Sequence, residues 1–368
     1  MRLVATTSVG EGSLLGKAIY NDQGQVLLNV GARLERHILN RLVEFGIGYV
    51  YIKDPDTDDL ILSNSISDDL RLNAIKTIGV TFKQIQEDTK ITNTFVLDKA
   101  SRDFKKLIQV LLEELSSSKD LLNLLSDVFN HDHYIFSHSL NVTLYALAIG
   151  IEMKLTPKEL EQLGLGAILH DVGKMKVPEE ILSKPGRLTG EEFQVIKAHA
   201  EDGFQLLRHV PGVPLIVAHC AYQHHERLNG AGYPRGLKGE EIHLFGRILG
   251  VADVFDAVTS NRVYRPAMLP HEGLEILYSG SDSLFDPKVV DAFRRAVAIY
   301  PVGLTVILND GREGVVAEQN PGLSERPVIR VLEENNQRVV PYHVDLKTNL
   351  SLMIVSCETI LKYQYANN

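Results

Sequence analysis

His138, His170, His199, His224 and His225, together with Asp171 and Asp253, are the side chains whose types and spacing could hold metal ions. Of the 13 histidines, 11 fall between His131 and His271, well under half of the 368-residue chain. His170 and Asp171 are adjacent, which sets a nitrogen donor beside an anionic oxygen donor. A carboxylate has two oxygens and can bridge two cations, each of which then takes further imidazoles. Histidine-rich ligation with a carboxylate bridge suits Fe, Mn, Co or Zn better than Mg or Ca, whose sites are mostly oxygen. Two cations about 3.5 to 4 Å apart can share a hydroxide of lowered pKa and clamp a phosphodiester during in-line attack. Phosphoester hydrolysis is therefore the chemistry this set fits. Taken singly, His138 among Tyr134, Val142 and Tyr145, or His199 after Ile196, Lys197 and Ala198, reads as a hydrogen-bonded core histidine. Their joint occurrence with Asp253, a carboxylate inside the apolar run Ile248 to Val258, reverses that reading, because an unpaired buried carboxylate is costly. Lys174 follows His170 by one helical turn and can neutralise a phosphate oxygen.

The elements that must position these groups are mainly α-helical. Between about Asn130 and Tyr300 the chain is punctuated by helix starts: Thr156-Pro157-Lys158-Glu159, Thr189-Gly190-Glu191-Glu192 and Asp286-Pro287. This predicts a helical bundle over 130–301, interrupted by one glycine-rich loop, Asn229 to Gly239. Residues 65–129 predict a helical connector. Its stripe of Phe104, Leu107, Ile108, Leu111, Leu112 and Leu115 would pack on the next domain or, failing that, support a homodimer. Residues 1–64 predict a small α/β domain, with a hairpin at Asn21-Asp22-Gln23-Gly24, a helix through Leu34, Ile38, Leu42 and Phe45, and an acidic linker from Asp54 to Asp59. Residues 302–368 predict a small β-rich domain with strands at Leu304 to Leu308, Gly314 to Ala317, Val328 to Leu332 and Leu352 to Val355.

Composition narrows the partners. A formal charge of -9 argues against nucleic-acid polymers and anionic membranes, which are gripped by clustered Lys and Arg. Two cysteines, Cys220 and Cys357, are too few for a disulfide framework, and the longest apolar stretch, around Val142 to Ile151, is too short to span a bilayer. A cytoplasmic protein is expected.

The strings His170-Asp171-Val172-Gly173-Lys174, Lys184-Pro185-Gly186-Arg187-Leu188-Thr189 and His224 through Gly232-Tyr233-Pro234 resemble the HD-GYP family of HD-domain phosphohydrolases, which open cyclic di-GMP. The resemblance covers about Asn130 to Tyr300. It implies one metal held by His138, His170, Asp171 and Asp253, and a second, bridged by Asp171, held by His199, His224 and His225. It also implies Fe or Mn as the metals, Asp171 and Lys174 in catalysis, and Lys174, Tyr233, Arg262 and Arg265 as substrate contacts. Arg265 stands where relatives often carry lysine. Some members hold a third metal through a glutamate at the position of Tyr134; Asp132 and His133 project differently, so a dinuclear site is expected. The implied reaction is hydrolysis of cyclic di-GMP to linear pGpG, with GMP after a second cut, by a metal-bridging hydroxide. A hydrolase of another cyclic dinucleotide and a non-catalytic cyclic dinucleotide receptor remain the alternatives.

Overall fold

A computed structural model describes residues 1–20, 25–61, 65–87, 94–117, 134–182, 184, 186–260 and 268–359. The first part pairs β1 (Arg2–Ala5) antiparallel with β4 (Tyr49–Ile52), and β2 (Ile19–Tyr20) with β3 (Val26–Leu28). The turn residues of that hairpin, 21–24, lie outside the described residues. Helix α1 (Arg36–Glu44) buries Leu39 and Leu42. It stops where Gly46 takes a φ of 75°, a backbone conformation that a side chain disfavours.

Helices α2 (Asp68–Glu87) and α3 (Thr94–Ser117) come next, in the stretch expected to be a connector. The bundle follows as α4 (Tyr134–Glu152), α5 (Pro157–Leu169), α6 (Glu179–Leu182), α7 (Gly190–Lys197), α8 (His199–Leu207), α9 (Leu215–Gln223), α10 (Leu244–Thr259), α11 (Pro270–Ser279) and α12 (Pro287–Ala296). Thr156 and Thr189 each close a capping box with the glutamate three residues on, and the Asp286 side chain accepts from the Lys288 amide. These caps satisfy amides that the helix starts leave orphaned. Phe104, Ile108 and Leu111 of α3 and Ile78 and Phe82 of α2 are buried in the same core as Leu147, Ile168 and Phe255. The stripe on α3 thus packs against the bundle. Full burial of each such side chain is worth about 1.5 to 3 kcal/mol.

The last part is a five-stranded antiparallel sheet in the order β8-β7-β6-β5-β9, with β5 (Thr305–Leu308), β6 (Glu313–Glu318), β7 (Val328–Glu334), β8 (Gln337–Asp345) and β9 (Ile354–Glu358). Strand β8 is absent from the sequence-based expectation. It is a largely exposed edge strand containing Pro341, so it shows neither an apolar run nor a clean alternation.

The two ends of the chain share one core, in which Leu3, Tyr51 and Leu60 pack with Val302, Leu304, Val306 and Val331. The acidic stretch Asp54 to Asp59 belongs to this junction and is not a solvated linker. Asp54 is 1% exposed and pairs with Arg2 at 3.1 Å, while both oxygens of Asp59 accept from Arg330. Arg2 in turn donates to the Thr305 hydroxyl at 3.2 Å. Pairing with Arg2, distant in sequence, is what allows the Asp54 carboxylate to be buried, while Asp59 stays exposed. Among the described residues no helix is long and apolar enough to cross a membrane.

Candidate metal centre

Five helices or helix ends converge on one buried point. His138 comes from α4; His170 and Asp171 follow α5; His199 opens α8; His224 and His225 follow α9; Asp253 lies on α10. His138 and Asp253 are fully helical, whereas the other ligands sit where a helix begins or ends, so each points inward without distorting a helix interior. The 3-10 turn Val172–Lys176 lies so close to α8 that a Cβ on Gly173 would collide with the His199 carbonyl oxygen. Only glycine permits that approach, and it brings Asp171 to His199.

The two oxygens of Asp171 face different histidines. Oδ2 lies 3.3 Å from Nε2 of His170 and 3.6 Å from Nε2 of His138, while Oδ1 lies 3.3 Å from Nε2 of His199 and 3.7 Å from Nε2 of His224. The donor atoms fall into two groups that share this carboxylate: His138, His170 and Asp171; and Asp171, His199, His224 and His225. Asp253 lies beside both, with Oδ1 3.2 Å from His138 Nε2 and its other oxygen 3.7 Å from His225 Nδ1. All seven predicted ligands are thereby brought together.

The imidazoles are oriented from behind. Nδ1 of His170 bonds the Ala167 carbonyl at 2.6 Å, that of His199 the Ile196 carbonyl at 2.6 Å, and that of His224 the Ala221 carbonyl at 2.9 Å. A carbonyl only accepts, so Nδ1 carries the hydrogen and Nε2 is a bare lone pair turned to the centre. Nε2 of His199 and Nε2 of His224 are then 3.2 Å apart with lone pairs facing, a repulsive contact that a cation relieves. His170 Nε2 and Asp171 Oδ1 are buried without a hydrogen bond. Buried polar atoms of this kind are rarely left unmatched, and these donors fit divalent metal ions.

Electrostatics agree with that fit. Burial, with neighbouring imidazoles second, pushes His224 well below the ordinary histidine range; burial and His224 do the same to His225. Burial opposes charge on Asp171, but the adjacent His170 and Lys174 outweigh it and hold its carboxyl well below the usual range. Burial likewise opposes charge on Asp253, yet the hydrogen bond from His138 and the nearby His225 keep it ionised. Neutral imidazoles and ionised carboxylates are the forms that bind metals; His138 departs from this, because burial lowers its pKa but Asp253 and Asp256 outweigh that and raise it to about 9, so a cation would displace its Nε2 proton.

Lys174 reaches Asp171 Oδ2 at 2.6 Å, so its charge sits on the carboxylate shared by the two donor groups. The Tyr233 ring stacks on His225 with centroids 4.5 Å apart, and the Lys197 ammonium lies 5.1 Å from the Tyr233 centroid. The loop carrying Tyr233 is pinned by Glu226, which accepts from the amides of Arg235 at 2.8 Å and Leu237 at 2.9 Å. A Cβ on Gly232 would collide with the Arg227 amide, so the loop needs glycine there. Arg262 and Arg265 lie outside the described residues, as do Asp132, His133 and the Tyr134 side chain. Sequence reasoning gave no role to Asp256, Asn141, Glu226 or Lys197. The first two stand three residues beyond Asp253 and His138 on the same helical faces, which is the signal that could have found them.

A family model described as "HD domain" matches residues 110–289, and one described as "KOW domain associated with HD domain" matches residues 305–365. The chain is 37% identical over 240 residues to cyclic di-GMP phosphodiesterase PA4108 of Pseudomonas aeruginosa, covering 64% of this chain and 58% of that protein. It is 38% identical over 200 residues to a cyclic di-GMP phosphodiesterase of Thermotoga maritima, covering 54% and 53%. It is also 36% identical over 168 residues to 3'3'-cGAMP-specific phosphodiesterase 3 of Vibrio cholerae, covering 46% and 36%. The chain thus spans a little over half the length of the first two relatives and about a third of the last.

Proposed function

From the premise that the chain belongs to the HD-GYP family of HD-domain proteins, we propose that it is a metal-dependent phosphodiesterase that opens cyclic di-GMP. The observation that carries this reading is the division of the two Asp171 oxygens between two buried groups of imidazoles. His138, His170, Asp171 and Asp253 would hold one ion, and Asp171, His199, His224 and His225 the other, with Fe or Mn favoured by the nitrogen-rich donor set. When bound, two such ions neutralise phosphate charge and acidify a water for in-line attack.

The remaining steps fall to this chain's own groups. Asp171 stays ionised and holds the two halves of the site at fixed separation. Lys174, beside it, presents positive charge where the substrate phosphate would lie. Tyr233 and Lys197 form a wall against His225 on which a purine can stack. Arg262 and Arg265 would supply bidentate contacts to phosphate or to a guanine edge. Without a carboxylate at Tyr134 the site is dinuclear, and the product is linear pGpG, followed by GMP on a second cut.

In this reading the catalytic unit is 130–301, the connector 65–129 is packed onto it, and 1–64 and 302–368 are auxiliary sections of a cytoplasmic protein. A second substrate is favoured by a specific observation: identity to the 3'3'-cGAMP-specific relative is nearly as high as to PA4108. The complete donor set speaks against a receptor without turnover. The deciding experiment is hydrolysis of cyclic di-GMP and of 3'3'-cGAMP by anaerobically purified protein with Fe(II) or Mn(II), products resolved by chromatography, with Asp171→Ala in parallel. Cleavage of cyclic di-GMP by the parent alone is expected. Preferred cleavage of 3'3'-cGAMP would change the substrate, and binding without cleavage under either metal would overturn the enzyme reading.

A further inference from the structure

We infer that Arg71, on connector helix α2, is a positioning residue that fixes His138 through Asn141 and Asp256, and so ties one half of the metal centre to the seating of α2. The inference rests on the two-metal reading above. Arg71 is 3% exposed and donates from Nη2 to Asn141 Oδ1 at 2.7 Å. Asn141 donates from Nδ2 to Asp256 Oδ1 at 2.8 Å, and Asp256 Oδ2 lies 2.7 Å from His138 Nδ1. The Ser260 hydroxyl also donates to Asp256 Oδ1, at 3.0 Å.

The donor of each bond is fixed: Arg71 donates to Asn141 and Asn141 to Asp256, while His138 donates to Asp256 from the other side. A guanidinium only donates and does not deprotonate, so it must face the amide oxygen of Asn141. The amide NH2 is then turned to Asp256. The reversed amide would set NH2 against a guanidinium and oxygen against a carboxylate, two repulsive contacts. Asp256, receiving donors on one oxygen, accepts from His138 Nδ1 with the other. His138 Nε2 is thereby left to face Asp253 and Asp171.

In the other half of the centre, His199 and His224 show no such dependence. Nδ1 of His199 and of His224 bonds a carbonyl three residues back in its own chain segment, as does that of His170. Their orientation is local. Of these four histidines, His138 alone takes its orientation from a relay that ends on another helix, 70 residues away in sequence from Asn141. A shift of α2 against α4 would therefore loosen the ion held by His138 and leave the one held by His199, His224 and His225 in place.

The test is Mn(II) titration of the metal-stripped full chain, with bound ions followed by electron paramagnetic resonance and the thermal midpoint recorded alongside. The parent should take two ions and show the spectrum of a coupled pair. In Arg71→Met one ion should bind about tenfold or more weakly, as loss of a ligand's outer partner commonly does. The second ion should bind as before, with the spectrum of an isolated ion. Arg71→Lys keeps a donor and should recover much of the loss. Asn141→Leu, at a half-buried position, breaks the relay without touching Arg71 and should reproduce Arg71→Met; it decides the matter if Arg71→Met does not fold. Parent-like binding in Asn141→Leu, or equal weakening of both ions with a lowered thermal midpoint, would overturn the inference. Fewer than two ions in the parent would instead overturn the two-metal reading itself.

Discussion

Asp171 is the residue on which both halves of the centre depend, because each of its oxygens faces a different set of imidazoles. Asp171→Asn keeps the shape but halves the acceptor capacity and removes the charge. Metal content measured by elemental analysis should fall by more than one ion per chain, with hydrolysis lost. Glu226 acts one step away. Glu226→Ala strips the partners from the Arg235 and Leu237 amides, a cost of about 1 to 3 kcal/mol per buried donor that the loop avoids by moving. The expected outcome is a KM raised about tenfold at near-parental metal content. At this scale the sequence pointed to the candidate donors that converge and was silent about their supports. The ligands are histidines and acids clustered in the sequence, whereas Arg71 and Glu226 are ordinary charged residues until the fold shows what they touch.

At the scale of elements, the approach of the 172–176 turn to α8 is the tightest packing at the centre. Gly173→Ala adds one methyl group against the His199 carbonyl and must push the turn away, which separates Asp171 from His199. Overpacking of this kind costs about 1 to 3 kcal/mol. The thermal midpoint should drop and metal affinity should fall with it; a variant with parental values for both would show that the turn tolerates the shift. The capping box at Thr156 has a purely structural role, so Thr156→Ala should cost about 1 kcal/mol of stability with no effect on metal binding. Caps at Thr156, Thr189 and Asp286 were legible because N-cap chemistry is local in sequence. Strand β8 was not legible, because an exposed edge strand has one face in water and little apolar pattern to read.

Across the whole molecule, the junction between the two ends is the feature that no local signal announced: its arginines and acids lie as far apart as Arg330 and Asp59. Arg330 holds the Asp59 carboxyl down to about 2 from an ordinary 3.8. A carboxyl lowered in the folded state contributes stability above its unfolded value, and that contribution is lost as pH falls from about 3.8 toward 2. Asp59 is largely exposed, so the effect is small and screened by salt. Arg330→Ala should therefore unfold at slightly higher pH than the parent in an acid titration at low ionic strength, and the gap should close in 1 M salt.

The same junction sets an order of events during synthesis. Leu3 and Tyr51 find their partners only when Val302 to Val331 have left the ribosome, by which time the helices between them can already have folded. Strands β1 and β4 thus wait for β5 to β7, with the side chains that face this shared core uncovered in the interval. In pulsed hydrogen exchange during refolding, amides of β1 and β4 should gain protection after those of α4, α5 and α10. For a nascent chain, the Leu3 and Tyr51 face is where a chaperone has a long interval in which to bind.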